Sequence, residues 1–230
     1  MPTLFTVPLE SGDSVSALAY TATGKVAPAA TLVLAHGAGA PQTHPFMTGV
    51  AAGLATRGID VITFNFLYME QKRRAPDSPA RLETCYRRVV GAARKRMIGR
   101  SRRLVVGGKS MGGRIASQAV AAETAPAGAT ADGLVFLGYP LHPPGRPDKL
   151  RDAHLPTIAV PMLFIQGSRD TFGTPDELRP VVARCHCADL YVVDGGDHSL
   201  KVRGKDAPSP HVTNAGVQKV IVDWIDALRR

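Results

Sequence analysis

The sequence predicts an α/β domain: a mostly parallel central sheet with helices on both faces and little or no cap domain. Three observations predict it. Short apolar runs alternate with segments of helical periodicity along the whole chain, the pattern of strand–helix–strand units. Two of those runs, Thr31–Ala35 and Leu104-Val105-Val106, are apolar throughout, as strands covered on both faces must be. The 230 residues carry 44% hydrophobic and 20% charged side chains with no linker, repeat or low-complexity tract, so one domain over residues 1–230 is expected.

The elements follow in order. Residues 3–8 and 15–21 read as two opening strands, a candidate hairpin. Thr31–Ala35 is the first buried strand and ends in His36-Gly37-Ala38-Gly39. A helix is expected over about 44–57, with Phe46, Val50 and Leu54 on one face and Gly58 placed to stop it. Ile59–Phe64 is the next strand. Ser78-Pro79 supplies a cap and then a first-turn proline for a helix with the stripe Leu82, Tyr86, Val89, Ala93 and Met97. Leu104-Val105-Val106 runs into Gly108-Lys109-Ser110-Met111-Gly112, and the helix after it carries Ile115, Ala119 and Ala122. Leu134–Leu137 and Met162–Ile165 are strands. Between them, 139–157 is rich in proline and charge and is expected as a loop or small cap. A helix over about 175–184, a strand Leu190–Val193 and a last helix over about 213–228, with Val217, Ile221, Trp224 and Leu228 on one side and Trp224 expected in the core, complete the chain.

Composition narrows the function classes. The N-terminus lacks a basic start followed by an apolar core, so no secretory signal is expected. No apolar run reaches bilayer-spanning length, and no membrane insertion is expected. Cys85, Cys185 and Cys187 form no even framework, which suits a reducing cytoplasm. The net charge is +9 and the basic residues are densest at Arg94-Lys95-Arg96, Arg100, Arg102 and Arg103. A solvated helix end explains that run. With aromatics at 6% and no nucleic-acid motif, no nucleic-acid partner is expected. Cys185-His186-Cys187 does not supply the separated ligand pairs of a structural zinc site, and neither metal nor cofactor is implied.

The chemistry-bearing residues lie where strands end, which is where open parallel sheets bind ligands. Gly108-Lys109-Ser110-Met111-Gly112 matches G-x-S-x-G. Its place between a buried strand and a helix is the context that motif requires. A sharp turn there lifts Ser110 above the sheet, and the helix N-terminus offers N–H groups where an oxyanion forms. A serine needs a neighbouring base to act as nucleophile. His198, in Gly195-Gly196-Asp197-His198-Ser199 after the last strand, is the candidate among seven histidines. Asp170, beyond Gln166-Gly167-Ser168-Arg169, is the candidate acid to hold its far nitrogen. Asp194 and Asp197 are too near His198 in sequence, and Asp176 and Glu177 suit a helix start. The expected oxyanion donors are the N–H groups of Met111 and of Ala38, with Gly37 or Gly39 as the alternative to Ala38. Candidate substrate contacts are His36, Gly37, Tyr68, Lys109 and His142. Of these, His36 also suits support of the oxyanion loop. Arg73-Arg74 could bind an acidic group, though a solvated loop is the favoured reading.

At these residues the chain resembles the α/β-hydrolase superfamily over nearly its whole length. Within it the chain is similar to dienelactone-hydrolase-like proteins. It is most similar to a testis-expressed-type branch that includes a subunit of a chromatin acetyltransferase complex. The carrying segments are HGAGAP (36–41), FNFLYMEQKRRAPD (64–77), GGKSMGGR (107–114), GYPLHPPGRP (138–147), IQGSRDTFGTP (165–175) and GGDHSLK (195–201). The resemblance implies a Ser110–His198–Asp170 triad. Dienelactone hydrolases proper carry cysteine where this chain has Ser110.

The expected activity is hydrolysis of a small carboxylic ester or thioester through an acyl-enzyme, at a rather open site and without a cofactor. Acyl transfer and a non-catalytic scaffold retaining the fold are the alternatives, and the sequence leaves oligomeric state open.

Overall fold

Three stretches, Ala30–Ala35 (β3), Ile59–Phe64 (β4) and Met162–Gly167 (β7), are buried at every residue in a computed structural model of the chain. The structure describes residues 1–24, 27–97, 100–101, 103–122, 131–205 and 207–228. The side chain of Met97 and the whole of Arg102, both singled out above, lie outside the described residues.

The remaining strands are Thr3–Pro8 (β1), Ser14–Tyr20 (β2), Leu104–Lys109 (β5), Gly133–Leu137 (β6) and Ala188–Val193 (β8). They form one eight-stranded sheet in the order β1-β2-β4-β3-β5-β6-β7-β8. β1 and β2 are the expected hairpin, and β2 joins β4 antiparallel. From β4 through β8 every pairing is parallel. The strand ends that carry Ala35, Lys109, Leu137 and Gly167 therefore open on one edge of the sheet.

Two apolar layers cover the sheet. On one face, Met47, Val50 and Leu54 of Pro45–Ala55 (α1) and Val217, Ile221 and Ile225 of a helix over Pro210–Ala227 pack on Leu32, Leu34 and Ile165. On the other, Leu82, Tyr86, Val89 and Ala93 of a helix over Pro79–Met97, Ile115 and Ala119 of Met111–Ala121, and Leu178 of Pro175–Val182 pack on Val33, Phe64 and Phe136. A four-residue helix, Leu67–Glu70 (α2), lies between β4 and the Pro79 helix. The later helices are α3 (Pro79–Met97), α4 (Met111–Ala121), α5 (Pro175–Val182) and α6 (Pro210–Ala227). No described helix is long and apolar enough to cross a membrane.

The predicted punctuation works locally. Gly58 ends α1 at φ +86° with its N–H on Ala55 O, a left-handed conformation open to glycine. Thr174 and Glu177 form a reciprocal capping box on α5.

Three expectations need correction. β5 extends past Val106 to Lys109, because Tyr86 Oη accepts the Gly107 N–H (2.8 Å) and holds the strand straight up to the turn. α6 starts at Pro210 rather than near 213, capped by Ser209 Oγ, which accepts the Val212 N–H at 3.4 Å. Trp224 is only half-buried, because its indole N–H donates to the Asp189 carboxylate at the sheet edge (3.0 Å).

The proline-rich stretch forms no cap domain. Its beginning, Tyr139 to His142, is buried in the body of the protein, and a three-residue helical turn, Leu155–Thr157, sits against α4. The basic run ends α3, where cations oppose the helix dipole. Arg100 is drawn out of it to pair with Asp60 (2.9 Å).

Tyr86 joins α3 to the middle of the sheet: its hydroxyl also lies 2.9 Å from Gly107 O and 3.1 Å from Val33 O. Tyr86→Phe strands the buried Gly107 N–H. It is expected to lower unfolding free energy by about 1–3 kcal/mol in a denaturant titration; an unchanged midpoint contradicts this.

Candidate active site

The turn between β5 and α4 is shaped by contact. A Cβ on Gly112 would lie 2.5 Å from Ala35 O and 2.6 Å from His36 O, and one on Gly108 would lie 2.5 Å from the Gly112 carbonyl carbon. No side chain fits at either position, so α4 starts directly against the ends of β3 and β5. Ser110 at the apex has φ +52° and ψ −119°. A non-glycine residue held there costs of order 1–3 kcal/mol. The Ser110 N–H bonds to Leu137 O (3.1 Å), which fixes the turn to the neighbouring strand.

The three residues predicted from strand ends meet here. His198 Nε2 lies 2.8 Å from Ser110 Oγ, and His198 Nδ1 lies 2.9 and 2.8 Å from the two oxygens of Asp170. Asp170 is fully buried. It also accepts the Phe172 N–H (2.8 Å) and the Gln166 amide (2.9 Å). These bonds leave the carboxylate one orientation. The Phe172 ring stacks on His198 with centroids 4.1 Å apart. The loops that carry Asp170 and His198 touch at Gly167, where a Cβ would come within 2.3 Å of Gly196 O. Asp194 and Asp197 hold their own turn instead: Asp194 accepts the Gly195 N–H and Asp197 the Ser199 N–H.

The loop after β3 is oriented from behind. His36 Nε2 accepts the Phe66 N–H (3.1 Å), so the proton sits on Nδ1, which donates to Gly37 O (2.7 Å). Tyr68 Oη donates to Ala38 O (2.8 Å). His36 and Tyr68 are both fully buried. In a trans peptide the N–H points opposite to the C=O. Anchoring the Gly37 and Ala38 carbonyls inward therefore turns the Ala38 and Gly39 N–H groups outward, toward the space above Ser110. Among the described residues no protein acceptor meets the N–H of Ala38, Gly39 or Met111.

A cavity of ≈ 610 Å³ opens over this turn, lined mostly by apolar side chains, with Ala38, Ser110, Met111 and His198 on its floor. Its size suits a small organic substrate. Gly37 and Lys109 line it. The Lys109 ammonium itself is turned away to donate to His198 O (2.5 Å). Burial brings that ammonium's pKa down to about 8, against the pull of Asp170 and Asp197.

Three expected substrate contacts are not in the wall. His36 and Tyr68 lie behind the loop, their polar atoms spent on the backbone. His142 is buried, with Nδ1 on Pro143 O (2.8 Å) and Nε2 3.3 Å from Glu177 but without hydrogen-bond geometry. Arg73 is tied to Asp77 (2.6 Å) rather than free for an acidic group. Among the described residues no group of three His, Cys, Asp or Glu side chains is placed to hold a metal ion.

Sequence reasoning missed Gln166 and Phe172. Gln166 alone had a signal, a polar residue directly after an apolar strand; that strand in fact runs to Gly167, and the Gln166 amide also reaches Tyr139 O and Gly173 O.

The chain matches the α/β-hydrolase domain family over residues 28–226. Among solved structures it is similar to an α/β serine hydrolase homologue from Coxiella burnetii (15% identity, 96% of each chain, TM-score 0.74). It is similar also to a lidless α/β serine hydrolase from Xanthomonas campestris (17% identity, 98% of this chain and 94% of the other, TM-score 0.73). A dienelactone hydrolase from Anabaena variabilis matches at 18% identity, over 99% and 97% of the two chains, with TM-score 0.71.

Burial lowers the His36 pKa from 6.5 to about 4, with the Gly37 bond and the charge of Glu70 opposing it. The neutral ring therefore stabilises the fold above pH 6.5, and that stability is lost as pH falls through 6.5 toward 4. The Tm advantage of the wild type over His36→Asn is expected to shrink across this window; a constant difference contradicts the assignment.

Proposed function

From the premise that this chain belongs to the α/β-hydrolase domain family, we propose that it is a serine hydrolase cleaving a carboxylic ester, or a thioester, through an acyl-enzyme. The unbroken line from Ser110 Oγ through His198 to buried Asp170, at 2.8 Å per step, carries this reading.

Ser110 Oγ attacks the carbonyl carbon while His198 Nε2 takes the hydroxyl proton. The carbonyl π-electrons move to oxygen, and the oxyanion is held by the N–H groups of Met111 and Ala38. Asp170 stabilises the imidazolium without taking its proton. Collapse breaks the bond to the leaving oxygen or sulfur, which receives the proton from His198 and departs as alcohol or thiol. Water then attacks the acyl-serine, giving a proton to His198. The second collapse releases the acid and returns the proton to Ser110. Each oxyanion donor is expected to contribute on the order of a hundred- to a thousandfold in rate.

The segments named above support placement in the testis-expressed-type branch. The free thiols of Cys85, Cys185 and Cys187 are compatible with the cytoplasm. A single domain with an open site belongs to the same reading.

A fluorophosphonate is expected to label the folded protein at Ser110, and Ser110→Ala and His198→Ala to abolish labelling. An unlabelled wild type sinks the reading. Asp170→Asn should lower kcat by roughly 10⁴-fold; retention of full activity removes Asp170 from its role. Tyr68→Phe releases the Ala38 carbonyl and should lower kcat about ten- to a hundredfold with little change in KM. An unchanged kcat shows that the loop needs no such anchor.

A further inference from the structure

One wall of the cavity carries two guanidinium groups. Arg114 stands four residues after Ser110 on α4 and so shares its face, one turn away. Arg151 comes from the segment between β6 and β7. Its backbone is pinned on both sides, the N–H donating to Leu141 O (2.8 Å) and the carbonyl accepting from buried Tyr139 Oη (2.7 Å). Both residues line the cavity.

Neither has a carboxylate partner among the described residues. Arg114 Nη1 donates only to the neutral Gln118 side chain (3.3 Å), and Arg114 Nε is shut off from solvent with no hydrogen-bond partner. The nearby acids are engaged elsewhere: Asp77 with Arg73, Glu83 with Arg87 and Asp152 with Arg184. Burial and the facing charge of Arg151 push the Arg114 pKa down, with Tyr139 and Glu83 opposing. Two half-buried cations side by side, with donors unspent, are costly for the free protein. Phe46, Leu82, Pro140 and Phe172 supply apolar wall, and the one carboxylate among the lining residues, Asp77, is paired with Arg73. A planar guanidinium is suited to carboxylate and phosphate oxygens alike.

We propose that Arg114 and Arg151 form an anion-binding subsite, so that the substrate is an ester bearing an acid group, carboxylate or phosphate, several atoms from the scissile carbonyl. The proposal rests on the serine-hydrolase reading and adds to it the class of substrate. The guanidiniums neutralise the acid, and the acid fixes the depth at which the carbonyl meets Ser110.

The test compares kcat/KM for 4-nitrophenyl hexanoate with that for its acid-tipped counterparts, the hemiadipate and the 5-phosphonopentanoate, in the wild type, Arg114→Gln and Arg151→Gln. The wild type is expected to prefer an acid-tipped ester by about tenfold or more, and each variant to bring that ratio toward one. Whichever acid shows the larger preference identifies the group. A wild-type ratio at or below one for both acids overturns the proposal even if a variant fails to fold. So does a preference that survives both substitutions. If no ester is cleaved and Ser110 takes no fluorophosphonate, the hydrolase reading itself falls and the subsite falls with it.

Discussion

The site depends on how closely α4 approaches the ends of β3 and β5. That approach is possible only because Gly108 and Gly112 have no side chains where Ala35 O and His36 O stand. It forces Ser110 into a left-handed conformation, which raises the hydroxyl above the sheet edge and aims the first N–H groups of the helix at the same space. The local cost is a few kcal/mol at most. It is offset by the packing of the Ile115–Ala119 face of α4 under the sheet and by the Ser110 N–H bond to Leu137 O. A methyl group at either glycine would move the helix, and every distance in the site would change with it.

The other parts are held by polar groups whose hydrogen bonds are spent on the protein itself. Gln166 and the Phe172 N–H orient Asp170, and Lys109 grips the carbonyl of His198. His36 and Tyr68 turn the loop after β3 so that its amides face outward. These supports lie in a low-dielectric interior, where an oriented hydrogen bond is strong and an unpaired one is expensive. Arg114 Nε, like His142 Nε2 and Thr213 Oγ1, is buried without a hydrogen-bond partner, and of these three residues Arg114 lines the cavity.

Much of this could be read in the sequence because the parallel sheet makes its strands continuous apolar runs, and the turn glycines mark where they end. Ser110, Asp170 and His198 were legible as unusual residues at three such ends, and the structure brings them together. What could not be read was direction. His36 and Tyr68 are 32 positions apart, and only folding shows that both stand behind the loop rather than beside a substrate. The helix Leu67–Glu70 is too short to display a period. Arg114 was visible in GGKSMGGR, but its lack of a partner is a property of the packed wall and not of the motif.

The most direct measurement is a crystal structure of the protein after reaction with a neutral phosphonate, which leaves a tetrahedral phosphorus on the nucleophile. The account predicts phosphorus on Ser110 Oγ, with its outward oxygen about 2.7–3.1 Å from the N–H groups of Met111 and Ala38. Phosphorus on another residue, or an oxygen facing solvent away from both amides, contradicts it.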